Sequence, residues 1–293
     1  MNARFVLVTG CTGQQGGAVT KALLKNGHRV RGLTRNPDSA KAKQLSDLGV
    51  EVVAGDFTDS SSLVRAATGV DAMYAMTTPF ESSEEAETEQ GLELIKAAKQ
   101  AGVGHFVYSS VGSADQKTGI PHFDSKYKVE EVLVASGLPY SISAPVYFMD
   151  NLLSPWTLPG VKEGTLAQAM PGDRPLQQIA LADIGAFATA LIERRERVFG
   201  HRFDIAGDEL TNIELVHTLS GIIGREITYQ GFPADAMRAQ SEDMATMYEW
   251  FDSTGYNADI AGLKSQFPEI GWHDFKTWSQ KIDWTGLLEE SNA

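Results

Sequence analysis

The chain has 293 residues, 42% of them hydrophobic, with a formal net charge of −13 at pH 7, a length that suits about two domains or one large α/β domain with an extension. The acidic balance argues against direct nucleic-acid binding, and the single cysteine excludes an intrachain disulfide framework or a cysteine zinc cage. No His/Asp/Glu cluster at metal-ligand spacing, no signal-peptide pattern and no window approaching the roughly 20 apolar residues of a spanning helix is found, so a cytoplasmic protein without metal or membrane contact is expected.

Residues 1 to 145 alternate short β-branched runs with helical patterns. Strands are predicted near 4–9, 28–34, 50–54, 71–76, 104–109 and 139–143, and helices near 15–26, 38–48, 60–68, 83–101 and 124–136. This predicts a Rossmann-type doubly wound parallel sheet. The first strand empties into Thr9-Gly-Cys-Thr-Gly-Gln-Gln-Gly-Gly17. Gly10 permits a sharp turn, Gly13 lets backbone approach a pyrophosphate, and Gly16 lets the next helix pack on the sheet. With Thr12, Gln14 and Gln15, these residues form the candidate phosphate cradle at a helix N-terminus. Cys11 lies inside the turn, either as a small filler or as a thiol whose pKa the helix would lower.

The second strand ends in Thr34-Arg35 where NAD-selective sites carry an acidic residue, and an arginine suits a 2′-phosphate, so the expected cofactor is NADP(H). After the third strand, Asp56 is placed to accept from an adenine amino group with Phe57 beside the ring, while Asp56 or Asp59 could also cap the next helix. Thr77 and Thr78, after the fourth strand, would lie along the cofactor at the carboxyl edge. The acidic run Glu81 to Glu89 reads as a solvated helix start.

From Pro145 the pattern loosens into a proline- and glycine-punctuated stretch that suits a substrate lid. Helices are then predicted at 181–194, 211–223 and 233–250, with short strands at 176–179, 201–205 and 226–230. Met237, Met244, Met247, Trp250 and Phe251 on the last helix are either core or the wall of an apolar pocket. The expected organisation is a nucleotide-binding domain over 1–150 and a smaller C-terminal α/β lobe over 151–293 that binds substrate or partner. Segments near 181–205 are expected to return to the main sheet.

The glycine turn, Thr34-Arg35-Asn36-Pro37, Gly55-Asp56, Tyr108-Ser109, His122-Phe-Asp-Ser-Lys126 and Pro145-Val-Tyr-Phe-Met-Asp-Asn-Leu-Leu153 together resemble the NmrA-like family of atypical short-chain dehydrogenases/reductases. The resemblance covers most of the chain and loosens over the last 60 or so residues. It implies a Rossmann NADP(H) domain with a small C-terminal lobe, in a family holding both NADPH-dependent reductases and redox-sensing regulators. A dehydrogenase of this fold places a tyrosine four residues before a lysine that holds ribose hydroxyls; here the lysine is Lys126 and the tyrosine position holds His122.

His122 is thus either a proton donor or a structural residue behind Pro121, and Lys126 either a cofactor ligand or the partner of Glu130. Pro145 and Tyr147 follow the sixth strand, where the nicotinamide would lie, and Tyr147 is the third catalytic candidate. Ala144 stands where relatives carry arginine or leucine, which suggests a more open corner. Two functions follow: a flavin- and metal-free NADPH reductase of an apolar or conjugated small molecule, or a non-catalytic NADP(H) sensor that moves loops near 77–90 and 150–180. The sensor would act through a regulatory protein partner, and a homodimer is left open.

Overall fold

A computed structural model describes residues 2–79 and 83–289. The chain divides into two compact units, Met1–Pro145 with Leu181–Asp204, and Val146–Ala180 with Ile205–Ala293. The first unit carries β1 (Phe5–Val8), β2 (Arg29–Thr34), β3 (Glu51–Ala54), β4 (Ala72–Ala75), β5 (Phe106–Ser109) and β6 (Tyr140–Pro145). Each neighbouring pair among these six is parallel. Between them run α1 (Gln14–Lys25), α2 (Ala40–Asp47), α3 (Ser60–Ala67), α4 (Glu84–Ala101) and α5 (Pro121–Ala135).

The second unit carries β7 (Tyr147–Phe148), α6 (Leu158–Lys162), β8 (Thr165–Gln168) and β9 (Pro175–Ile179). The chain then returns to the first unit with α7 (Leu181–Glu193), α8 (Arg195–Val198) and β10 (His201–Ile205). The strand order β10-β6-β5-β4-β1-β2-β3 reverses direction at β1, which opens a crevice at the carboxyl ends of β1 and β4 where ligands of such sheets bind. The expected α/β doubly wound sheet is what forms.

The buried faces explain these elements. Val6, Leu7 and Val8 of β1 and all four residues of β4 and β5 are inaccessible, as strands covered by helices on both faces require. Leu7, Leu33, Leu63, Met73, Leu94, Phe106, Leu133 and Ile142 form part of one core. Helix α7 lies so close to α1 that a Cβ on Gly185 would stand 2.6 Å from the Ala18 carbonyl oxygen. Ala144 is fully buried in the same core, so the corner before Pro145 is packed and not open.

The rest of the second unit consists of β11 (Asp208–Thr211), α9 (Asn212–Ile223), β12 (Thr228–Gly231), α10 (Asp235–Arg238), α11 (Glu242–Ser253), α12 (Ile260–Gln266), α13 (Phe275–Ser279) and α14 (Trp284–Glu289). Its strands form a β11-β9-β7 sheet and a parallel β12/β8 pair. Its core joins Met149, Leu166, Leu215, Leu219, Phe275, Trp278 and Trp284.

Three sequence expectations change. Before the expected strand β9, the loose stretch after Pro145 contains β7, α6 and β8, since each of these strands finds a partner far along the chain. The 233–250 helix is two helices, because the Ser241 side chain accepts from Met244 N and starts α11 afresh. Helix α5 begins at Pro121, three residues before the expected start, and proline suits that first helical position.

One buried group in the first unit sets a pH dependence. His105 Nε2 is 2.9 Å from Ser141 Oγ, which donates to the Val198 carbonyl. Burial, with Arg195 nearby, lowers the His105 pKa to about 3. Below the unfolded value of about 6.5 the unfolded chain takes up a proton that the folded chain refuses, so stability falls as pH drops from there towards 3. The contribution is at most about 1.4 kcal/mol per pH unit. His105→Gln is expected to flatten the melting temperature against pH between these limits; a slope equal to wild type would refute the assignment.

Candidate functional site

The crevice is built first by glycine. Gly10 has φ +62°, a left-handed turn that takes the chain off β1. A Cβ on Gly16 would lie 2.3 Å from the Gly10 carbonyl oxygen and 2.8 Å from that of Thr9, so only glycine lets α1 start this close to the strand. Gly13 is the N-cap residue of α1 and supplies no side-chain hydrogen bond, and no acidic residue stands in the first turn. By contrast Ser39, Asp59, Ser83, Thr211 and Ser241 each cap their own helix. The start of α1 therefore keeps backbone N–H groups and the positive end of the helix dipole available to an anion.

Gly13 and Gln14 are exposed, and Thr12 is half-buried beside them. The Gln15 side chain turns inward, donating to Tyr74 Oη at 2.9 Å and Ser109 Oγ at 2.5 Å. What it offers a ligand is accordingly its backbone amide. Burial raises the Tyr74 hydroxyl to about 12, so it stays protonated. Cys11 is buried with its thiol 3.4 Å from the Leu33 carbonyl oxygen, and burial pushes its pKa up to about 11. Cys11 is thus the small filler and not an activated thiol.

At the end of β2, Thr34 Oγ1 accepts from Asn36 N at 3.2 Å and Arg35 is exposed. The Asp56 carboxyl is held below the usual range by the Thr58 backbone N–H and hydroxyl, with Arg35 adding its charge. Both Thr58 groups donate to Asp56 Oδ1, at 2.8 and 2.7 Å, a local turn that competes with the adenine-contact reading of that oxygen. The helix cap is Asp59, which accepts from Ser61 N and Ser62 N. Phe57 packs half-buried against the core of the first unit.

Thr77 and Thr78 follow β4, and here the structure corrects the acidic-run reading. Glu81 lies outside the described residues, but Glu87 has 0% exposure. Glu87 Oε1 accepts from Lys126 Nζ at 2.8 Å and Thr77 Oγ1 at 3.2 Å, and its Oε2 from Ser125 Oγ at 2.5 Å. Lys126 Nζ also donates to the Thr77 carbonyl at 3.1 Å, and its side chain is 12% exposed.

Lys126 is therefore not the partner of Glu130. That carboxylate accepts from Ser110 Oγ and, at 2.9 Å, from Arg202 Nε, and burial raises its pKa. His122 is 8% exposed, edge-on to Phe123 with centroids 4.8 Å apart. Sequence reasoning missed Glu87, Ser125 and Arg202. Glu87 stands in an acidic run whose neighbours Glu85 and Glu89 are exposed, so nothing local in the sequence set it apart.

Pro145 ends β6 and accepts from Gly112 N at 2.9 Å. Tyr147 belongs to the second unit, on β7. Its hydroxyl is 3.4 Å from Gln168 Nε2 and interacts with Tyr248 and Asn151, while burial raises its pKa. Phe251 meets the Tyr147 ring edge-on at 6.2 Å. Met247 is buried, so that side of α11 is core, while Tyr248 helps line a cleft of about 570 Å³ with Met170 and Phe232. Among the described residues no group of three or more potential metal ligands occurs and no helix is long and apolar enough to cross a membrane.

A strand order that reverses at β1, with a glycine turn and an uncapped helix at the reversal, defines a Rossmann-like nucleotide-binding fold. The chain belongs to the NmrA-like family, whose model matches residues 2–291. It is 32% identical over 237 residues to a (4-alkanoyl-5-oxo-2,5-dihydrofuran-3-yl)methyl phosphate reductase of Streptomyces griseus, covering 80% of this chain and 79% of that one. Against quinone oxidoreductase 2 of Escherichia coli it is 29% identical over 230 residues, 77% of each chain. The structure of that NADPH-dependent enzyme with NADPH superposes with a TM-score of 0.78 at 26% identity, covering 94% of this chain and 98% of that one. The negative transcriptional regulator NmrA in complex with NADP shares the fold, with a TM-score of 0.79 at 18% identity over 99% of this chain and 98% of that one.

Proposed function

We propose that this protein is an NADPH-dependent reductase that delivers hydride to a conjugated electrophilic small molecule such as a quinone, imine or azo compound. The observation that carries the reading is the phosphate cradle: the free α1 N-terminus behind Gly10, Gly13 and Gly16, with Arg35 at the end of β2. The residues fit a dinucleotide bearing a 2′-phosphate. The α1 amides take the pyrophosphate, and the Arg35 guanidinium takes the 2′-phosphate by charge-assisted hydrogen bonds. The bound nicotinamide supplies the hydride.

This chain's own residues bind and orient. Lys126, a cation held at the carboxyl edge of β4, is the candidate ligand for the ribose hydroxyls. Thr77 and Thr78 line the same edge. His122, one turn before Lys126 on α5, is the candidate proton donor in the first unit, and Tyr147, protonated at neutral pH, in the second. A conjugated acceptor needs little acid assistance, which suits a chain with histidine at the tyrosine position. The two similar reductases are named for a dihydrofuranone and a quinone, which supports the substrate class.

The test is NADPH consumption against a panel of quinones, azo dyes, imines and aldehydes. Turnover is expected with quinones and other conjugated acceptors and not with simple aldehydes. Absence of turnover across the panel would favour a second reading, an NADP(H)-responsive regulator, for which the burial of His122 against Phe123 is the supporting observation. A regulator would change oligomeric state or partner binding with cofactor and leave the cofactor unconsumed.

A further inference from the structure

We infer that Glu87 is the positioning residue of the site: a buried carboxylate on α4 that fixes the Lys126 ammonium against the Thr77 carbonyl. The inference rests on the Lys126 reading above and extends it to a residue from a different helix.

Three observations converge on Glu87. Its side chain is wholly inaccessible, so its charge must be matched inside the protein. Both of its oxygens are used, Oε2 by Ser125 Oγ and Oε1 by Thr77 Oγ1 and Lys126 Nζ. And the helices that carry the pair are packed in close contact: at Gly91, one turn beyond Glu87, a Cβ would lie 2.5 Å from Val129 Cγ2 of α5. The carboxylate is thus buried, fully hydrogen-bonded and seated between closely packed helices.

An ammonium has three protons in a rotatable array. Two are directed by Glu87 and by the Thr77 carbonyl. Fixing two directions fixes the third, which is left for a ligand, and the side chain is not wholly closed off, at 12% exposure. A lysine on a flexible stem otherwise surrenders its rotamer freedom when the ligand arrives, which weakens binding. Glu87 removes that loss in advance, so its effect is felt in the ligand's affinity and goes chiefly through Lys126, the charged partner of Oε1, with the neutral Thr77 hydroxyl the weaker donor to the same oxygen.

The experiment measures NADPH dissociation constants of the full-length protein by fluorescence, together with the rate at which acetic anhydride acylates Lys126, read by peptide mass spectrometry. Glu87→Gln, Lys126→Met and the double variant are compared in a cycle. Glu87→Gln is expected to weaken NADPH about tenfold and to speed Lys126 acylation by about tenfold, with the double variant no weaker than Lys126→Met. Glu87→Asp, which keeps the charge, is expected to recover part of the affinity.

If Lys126→Met weakens NADPH but Glu87→Gln does not, or if the two effects add, the positioning role is overturned while the lysine reading stands. If Lys126→Met binds as wild type, the lysine reading itself fails and the inference falls with it. Should Glu87→Gln not fold, Ser125→Ala decides, since it deletes the donor to Oε2 and the hydroxyl's bond to the His122 carbonyl but leaves both donors to Oε1 in place: a rise of about threefold in the dissociation constant with faster acylation supports the role, and unchanged values refute it.

Discussion

Gly16→Ala is expected to abolish NADP(H) binding and to destabilise the fold by about 3 kcal/mol or more. The new methyl carbon would stand 2.3 Å from Gly10 O, 2.5 Å from Gly10 C and 2.8 Å from Thr9 O. All three are backbone atoms at the end of β1, which is hydrogen-bonded on both sides by β2 and β4. Neither a rotamer change nor a small shift relieves the collision, so α1 must lift off the sheet and take its N-terminus with it. Thermal melting and NADPH titration read both effects. Gly13→Ala is the control. Its Cβ meets only Gly10 O, at 3.3 Å, so the melting temperature should drop far less while the anion cradle is still obstructed. Equal melting behaviour of the two variants would refute the account of Gly16.

Arg35→Asp is expected to raise the NADPH dissociation constant by about 100-fold, because it replaces the proposed charge-assisted donor to the 2′-phosphate with a repelling carboxylate. NADH carries no such phosphate, and its affinity should change less than about threefold or improve, since an acidic residue there suits a ribose hydroxyl. The measurement is the ratio of the two dissociation constants for the variant and for wild type. An unchanged ratio would remove Arg35 from the cofactor site. The neighbouring Asp56 gives a second readout: Arg35 contributes to holding its carboxyl low, so its titration should shift upward in the variant.

What could be read from the residues alone follows physical range. Gly10, Gly13 and Gly16 act through backbone geometry within one turn, and β1, β4 and β5 are apolar but for Ser109 because helices cover both faces; both signals are local and both were legible. Glu87 was not, because a carboxylate early in a helix ordinarily complements the dipole from solvent, and what buries it is Lys126, 39 residues further on. The Glu130–Arg202 pair spans 72 residues, so the nearer lysine was the natural but wrong partner. Ser241 broke a helix that apolar spacing had joined, because a cap outweighs periodicity at that one position. Helices α12, α13 and α14 are each too short to show a period. Their aromatics Phe275, Trp278 and Trp284 enter the core of the second unit from chain that looked patternless.

The contact of α7 with α1 has a consequence for how the molecule comes into being. The helix that opens on the phosphate cradle is braced by backbone contact at Gly185, and β10 lies at the edge of the sheet beside β6. On a ribosome delivering the chain from its N-terminus, the first strand–turn–helix is therefore made long before its support exists. The nascent chain must hold the side of α1 that α7 covers exposed until Leu181–Glu193 has been made, a period when chaperone attention or aggregation competes with folding. The glycines of the candidate cradle are therefore made well before the helix that braces them.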